Sequence, residues 1–123
     1  MAKIVVVDDS RMARNLACAP LEEAGHEVHG IEPTSLFDVL QCIQALRPDL
    51  VITDCQMPRC NGESLVRAIR ADLNLNQTPI MLLTAHRDED RMKRITMLGI
   101  SGCLFKGEGM LELARSVAAI LNP

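Results

Sequence analysis

A fivefold alternation does most to narrow what this chain can fold into. Short apolar runs occur at Lys3 to Val7, Glu27 to Ile31, Asp49 to Thr53, Pro79 to Thr84 and Ser101 to Phe105, each followed by a turn and a stretch of helical period. The last stretch shows the period best. Met110, Leu113, Ala114, Val117, Ile120 and Leu121 fall on one stripe suited to packing on a sheet. Strand and helix in alternation predict a parallel sheet covered on both faces, because each crossover must carry the chain back over the sheet.

The character of each run predicts its place. IVVV, LVI and IMLL are continuously apolar, as strands buried on both faces should be, whereas EVHGI is mixed and reads as an edge. An edge second strand fits an α/β, flavodoxin-like doubly wound sheet of order 2-1-3-4-5 with five helices. In that order the first and third strands lie side by side at the topological switch point. Ligands of such sheets bind beyond the carboxyl ends of the strands.

Length and composition agree. A chain of 123 residues is about one domain, so residues 1 to 123 are read as a single unit. With 48% hydrophobic and 24% charged residues, a compact fold is expected rather than disorder. A net charge of −3 without a long basic stretch argues against direct nucleic-acid binding. No apolar run has the length of a membrane span, and the four apolar residues before Asp8 are too few for a secretory signal, so a soluble, cytoplasmic chain is expected. Five cysteines with no C-x-x-C pair read as reduced thiols rather than a disulfide or zinc framework.

The polar residues then become informative. Asp8 and Asp9 end the first run, Asp54 follows the third, Thr84 ends the fourth and Lys106 follows the fifth, so all five are expected at one mouth of the sheet. Three carboxylates so close repel by a few kcal/mol per pair at an effective dielectric near 20. One lysine does not balance them; a divalent cation does. Magnesium suits hard carboxylate oxygens and keeps part of its water shell for phosphate. A carboxylate beside such an ion and an ammonium group can act as a nucleophile toward phosphorus. The ion and Lys106 would neutralise the equatorial oxygens, and the Thr84 hydroxyl would hydrogen-bond one of them.

The chain resembles the receiver domain of two-component response regulators over essentially its whole length, like the single-domain regulators of chemotaxis. The resemblance rests on VVVDDSRMAR, DLVITDCQMPRCNG, IMLLTA and LFKGEG. It implies that Asp54 is the phosphoacceptor and that Asp8, Asp9, Asp54 and the Gln56 backbone carbonyl hold Mg²⁺, with Thr84 and Lys106 on the phosphoryl group. It implies a sensor histidine kinase or histidine phosphotransfer protein as donor, and no enzyme activity beyond self-phosphorylation and self-dephosphorylation. The Gln56 and His86 side chains would tune hydrolysis. An output surface would form on the fourth helix, fifth strand and fifth helix, including Arg91, Lys93, Arg94, Cys103 and Met110.

Three positions depart from the family pattern. Cys103 stands where an aromatic switch residue is usual, which predicts that this relay is absent. Gly107 stands in place of the usual proline after the lysine, which predicts a trans peptide or a strained cis one. Pro20 lies inside the first helical segment and predicts a kink or break near Leu16. These departures keep open a receiver-like binding module that works without phosphate. A phosphohydrolase is the third possibility, but it would carry D-x-D after its first strand, where this chain has Asp8-Asp9-Ser10. His26 and His29 are expected on opposite strand faces as surface residues. Cys55 and Cys60, beside the acidic loop, are expected to react poorly.

Overall fold

In the computed structural model, which describes residues 1–85 and 88–123 and the backbone but not the side chain of Met110, the ten elements alternate as the sequence predicts. They are β1 (Lys3–Val7), α1 (Arg11–Glu23), β2 (Glu27–Ile31), α2 (Leu36–Leu46), β3 (Leu50–Thr53), α3 (Gly62–Ala71), β4 (Ile80–Thr84), α4 (Glu89–Met97), β5 (Gly102–Phe105) and α5 (Met110–Leu121). The strands form one parallel sheet in the order β2-β1-β3-β4-β5. β3, β4 and β5 begin one residue later than their apolar runs, and all end where expected.

Alternation along the strands builds two cores. Val5, Val7, Val51, Ile80 and Leu82 face one way and pack with Val39 and Ile43 of α2, Leu65, Val66 and Ile69 of α3, and Ile95 of α4. Ile4, Val6, Leu50, Ile52, Met81, Leu83 and Leu104 face the other way and meet Ala17 and Leu21 of α1 and Leu113 and Val117 of α5. This is the period of two expected of strands buried on both sides. Truncating any of the fully buried Leu or Ile side chains to Ala would cost about 2–5 kcal/mol. β2 is half-exposed and forms one edge, as its mixed composition predicts; β5 forms the other.

Helix starts follow capping chemistry. Ser10, Ser35, Asn61 and Asp88 each accept a backbone N–H of the first turn through the side chain, at α1, α2, α3 and α4 respectively. Gly109 begins α5 with no side-chain cap. The break expected near Leu16 does not occur: α1 runs continuously from Arg11 to Glu23. The hydrogen bond that proline removes would have ended on the carbonyl of Leu16, which lies on an exposed residue where water can replace it. Pro20 also sits near the helix end, and its own carbonyl still accepts the Ala24 N–H at 3.1 Å.

At the far end of the sheet one side chain ties three segments together. Arg70 of α3 donates Nε and Nη2 to the Gly99 carbonyl at 3.0 and 2.8 Å, and Nη1 to the carbonyls of Asn76 and Thr78 at 3.1 and 2.8 Å. The turn after α4 and the approach to β4 therefore share one anchor.

Candidate functional site

The site is assembled by two neighbouring strands that end together. β3 pairs with β1, Val7 opposite Thr53, and the ladder continues one residue further through the Asp54 N–H to the Val7 carbonyl at 3.1 Å. Asp8 and Asp54 are thereby held side by side just past their strands. Both are almost fully buried, at 3% and 5% exposed, while Asp9 is open to solvent. One carboxylate oxygen from each of Asp8, Asp9 and Asp54 lies within 4.8 Å of the others.

Lys106 reaches this cluster from the end of β5. Its Nζ lies 2.6 Å from Asp8 Oδ2 and 2.9 Å from Asp54 Oδ2, bridging the two buried carboxylates. Each carboxylate uses its other oxygen on backbone: Asp8 Oδ1 accepts the Ser10 N–H at 2.9 Å, and Asp54 Oδ1 accepts the Gln56 N–H at 3.3 Å. Burial is the largest single influence on the ammonium and acts to lower its pKa, but the hydrogen bonds and charges of Asp8 and Asp54 together outweigh it. They hold the group above the ordinary lysine value.

Thr84 ends β4 and is fully buried. Its carbonyl accepts the Lys106 N–H at 2.8 Å, so the threonine and the lysine move on linked backbone. Its side chain is one of the influences that lower the Cys55 pKa against the larger effect of burial. Gln56 follows Asp54 half-buried; His86 lies outside the described residues, as does the side chain of Met110. The peptide bonds of the β5–α5 loop are trans, in agreement with the loss of the usual proline, and Lys106 still arrives at both carboxylates.

Two supports were not read from sequence. Arg14 donates Nη1 to the Asp8 carbonyl at 2.8 Å, pinning the start of the acidic loop from α1. The only sequence signal for it is a basic residue one turn into the helix after the aspartates. Gly62 permits the Asp54 loop to fold back on itself, because a Cβ there would collide with the Asp54 carbonyl oxygen and stand 2.8 Å from Cys55 Cα. Its own N–H donates to the Cys55 carbonyl at 3.1 Å.

Other side chains settle as follows. Burial pushes the Cys55 thiol up to about 11 and raises Cys60 as well, so desolvation rather than the acidic loop is the main brake on their reactivity. His26 accepts the Ala2 N–H through Nδ1 at 3.1 Å, and His29 pairs with Glu27 at 2.6 Å; both serve the strand edge. Arg94 of the expected output face turns toward α3, with Nε 3.1 Å from Glu63 Oε1. Among the described residues no helix is long and apolar enough to cross a membrane.

This geometry has known counterparts. Residues 4–118 match the family model described as the response regulator receiver domain. The hybrid signal transduction histidine kinase D of Dictyostelium discoideum is 35% identical over 77% of the chain, which spans 6% of that protein. The phosphate regulon transcriptional regulatory protein PhoB of Pseudomonas aeruginosa is 30% identical over 97% of the chain, which spans 51% of it. The chain thus covers only part of these curated relatives. The chemotaxis response regulator CheY4 of Vibrio cholerae superposes with a TM-score of 0.88 at 30% identity, covering 98% of this chain and 99% of that one. With the acidic pair closed over by a lysine at the switch point of a 2-1-3-4-5 sheet, and a family match over nearly its full length, the chain belongs to the receiver domains of two-component response regulators.

Proposed function

We propose that Asp54 is the phosphoacceptor, and that phosphorylation switches a surface on α4, β5 and α5. The observation that carries this reading is the crowding of Asp8, Asp9 and Asp54 within 4.8 Å of one another, with Lys106 bonded to two of them. Asp54 is the only one of the three carried on the loop closed by Gly62 and fixed by its own backbone to β1.

The residues divide the chemistry. An Asp54 carboxylate oxygen attacks the phosphorus of a phosphohistidine or acyl phosphate. The new P–O bond replaces the bond to the imidazole nitrogen or acyl oxygen, which leaves with the electron pair. Lys106, already 2.9 Å from Asp54, offers its ammonium to the oxygens of the transferring group. The all-oxygen donor set of Asp8, Asp9, Asp54 and the Gln56 carbonyl fits Mg²⁺, which when bound would offset the negative charge of the carboxylates and phosphoryl group. A sensor kinase or histidine phosphotransfer protein in the cytoplasm is the proposed donor.

Afterwards the phosphoryl group adds about −1.5 to −2 of charge. The Thr84 hydroxyl turns toward a phosphoryl oxygen, and the end of β4 shifts with it. That shift reaches α4 and β5, where Lys93 and Cys103 line a shared groove. Incubation with Mg²⁺ and acetyl phosphate is expected to add one phosphoryl group by intact mass, and Asp54→Asn to prevent it. Equal labelling of the Asn variant would overturn the assignment. Absence of labelling by both acetyl phosphate and a kinase would leave a binding module that works without phosphate, the reading that Cys103 in the switch position favours.

A further inference from the structure

Directly behind the oxygen-rich mouth lies a cluster of different chemistry. Cys55 follows Asp54 but packs into the core beneath α4, with Ile95 and Met92 as neighbours. Its Sγ lies 3.8 Å from Sδ of Met92. Met92 also lines the groove of about 690 Å³ between α4 and β5, together with Cys103, Met97 and Lys93. Met92 therefore has one side on a buried thiol and the other on a groove that holds an exposed one.

We propose that Cys55, Met92 and Cys103 form a binding site for the soft monovalent ion Cu(I), distinct from the carboxylate site at the mouth. Thiolate and thioether sulfurs select Cu(I), whereas the carboxylates select hard ions such as Mg²⁺. The spacing fits. An ion about 2.3 Å from each of two sulfurs 3.8 Å apart sees them at roughly 110°, close to the trigonal angle, which leaves one position for the third sulfur. Cys103 supplies that sulfur from the groove side, and the exposed Met97 offers a thioether at the rim. Binding releases both thiol protons to solvent and leaves the copper at +1, so no oxidant or reductant is consumed. The resulting complex has one net negative charge, beside Lys93 on the same groove.

Such an ion would clamp the residue after the phosphoacceptor to α4 and β5. It would occupy the position where Cys103 replaces the aromatic switch, and bias the same surface that phosphorylation is proposed to move.

The test is an anaerobic titration of the reduced full chain with Cu(I) against the chromophoric chelator bathocuproine disulfonate. The wild-type chain is expected to withdraw one equivalent and to gain an ultraviolet thiolate-to-copper charge-transfer band. Cys103→Ser and Met92→Leu, each checked for folding by circular dichroism, are expected to weaken retention by at least about tenfold. Cys42→Ser, which removes the exposed thiol of α2, should leave it unchanged. Asp54→Asn should also bind normally, which separates this site from the phosphoacceptor. No copper withdrawn from the chelator, wild-type affinity in both sulfur variants, or a loss in Asp54→Asn equal to that in Cys103→Ser would each overturn the proposal.

Discussion

The loop after β3 and the loop after β5 meet at the same mouth but are built in opposite ways. The first is packed solid: Cys55, Met57 and Cys60 are all buried, and Gly62 is pressed so closely on the Asp54 backbone that no other side chain fits. The second is open. Gly107 and Gly109 take φ values of 114° and 98°, have no neighbour within 4 Å of where a Cβ would stand, and lead into a helix with no side-chain cap. The carboxylate to be modified is thus held in place, while the lysine that answers it rides on permissive backbone.

Substitutions at the glycines test that contrast most sharply. Gly62→Ala drives a methyl group into backbone atoms and is expected to cost about 3 kcal/mol or more by chemical denaturation, at the upper end of overpacking effects. Lys106→Ala comes next. It leaves two buried carboxylates facing each other and is expected to cost about 1–2 kcal/mol in the presence of chelator, less than for a fully buried pair because the lysine is 24% exposed. Divalent cation should recover more stability in this variant than in the wild type.

The pH dependence of that difference follows from the lysine. Its folded pKa lies above the ordinary value of 10.5, so the stabilisation is complete below that value and is lost as pH rises through the folded one. Denaturation midpoints of wild type and Lys106→Ala should stay apart at neutral pH and converge only in strong alkali. Gly107→Ala places a Cβ in open space and meets only backbone strain, expected at about 1 kcal/mol. If it costs as much as Gly62→Ala, the two loops are equally rigid and the contrast is wrong.

The smallest effect is chemical rather than thermodynamic. Treatment of the folded chain with a maleimide near pH 7 should label Cys42 and Cys103 fast and Cys55 and Cys60 slowly, since burial holds the Cys55 thiol near 11 and raises Cys60 too. Rapid labelling of Cys55 by peptide mass mapping would show that its loop opens readily.

The order of the strands and the convergence of Asp8, Asp9, Asp54, Thr84 and Lys106 were legible in the sequence because both follow from period and strand polarity, which are local signals. The tertiary supports were not. Nothing near Arg14 shows that it reaches back to the Asp8 carbonyl, and nothing near Gly62 shows what it touches, because those contacts exist only once the loops have folded. Pro20 misled for a related reason. Its penalty of about 3 kcal/mol belongs to a helix interior, whereas here Pro20 lies near the helix terminus, the lost bond ends at the exposed Leu16, and the helix is packed through Ala17 and Leu21. The direction of Arg94 was equally hidden, since its partner Glu63 is on another helix.

The guanidinium of Arg70 has a mechanical consequence. By gripping the carbonyl of Gly99 with two nitrogens and those of Asn76 and Thr78 with the third, it makes the base of α4 a fulcrum. Any push delivered at the opposite tip of that helix must then emerge as a tilt of the whole rod, with the greatest travel nearest Asp54 and almost none at the hinge.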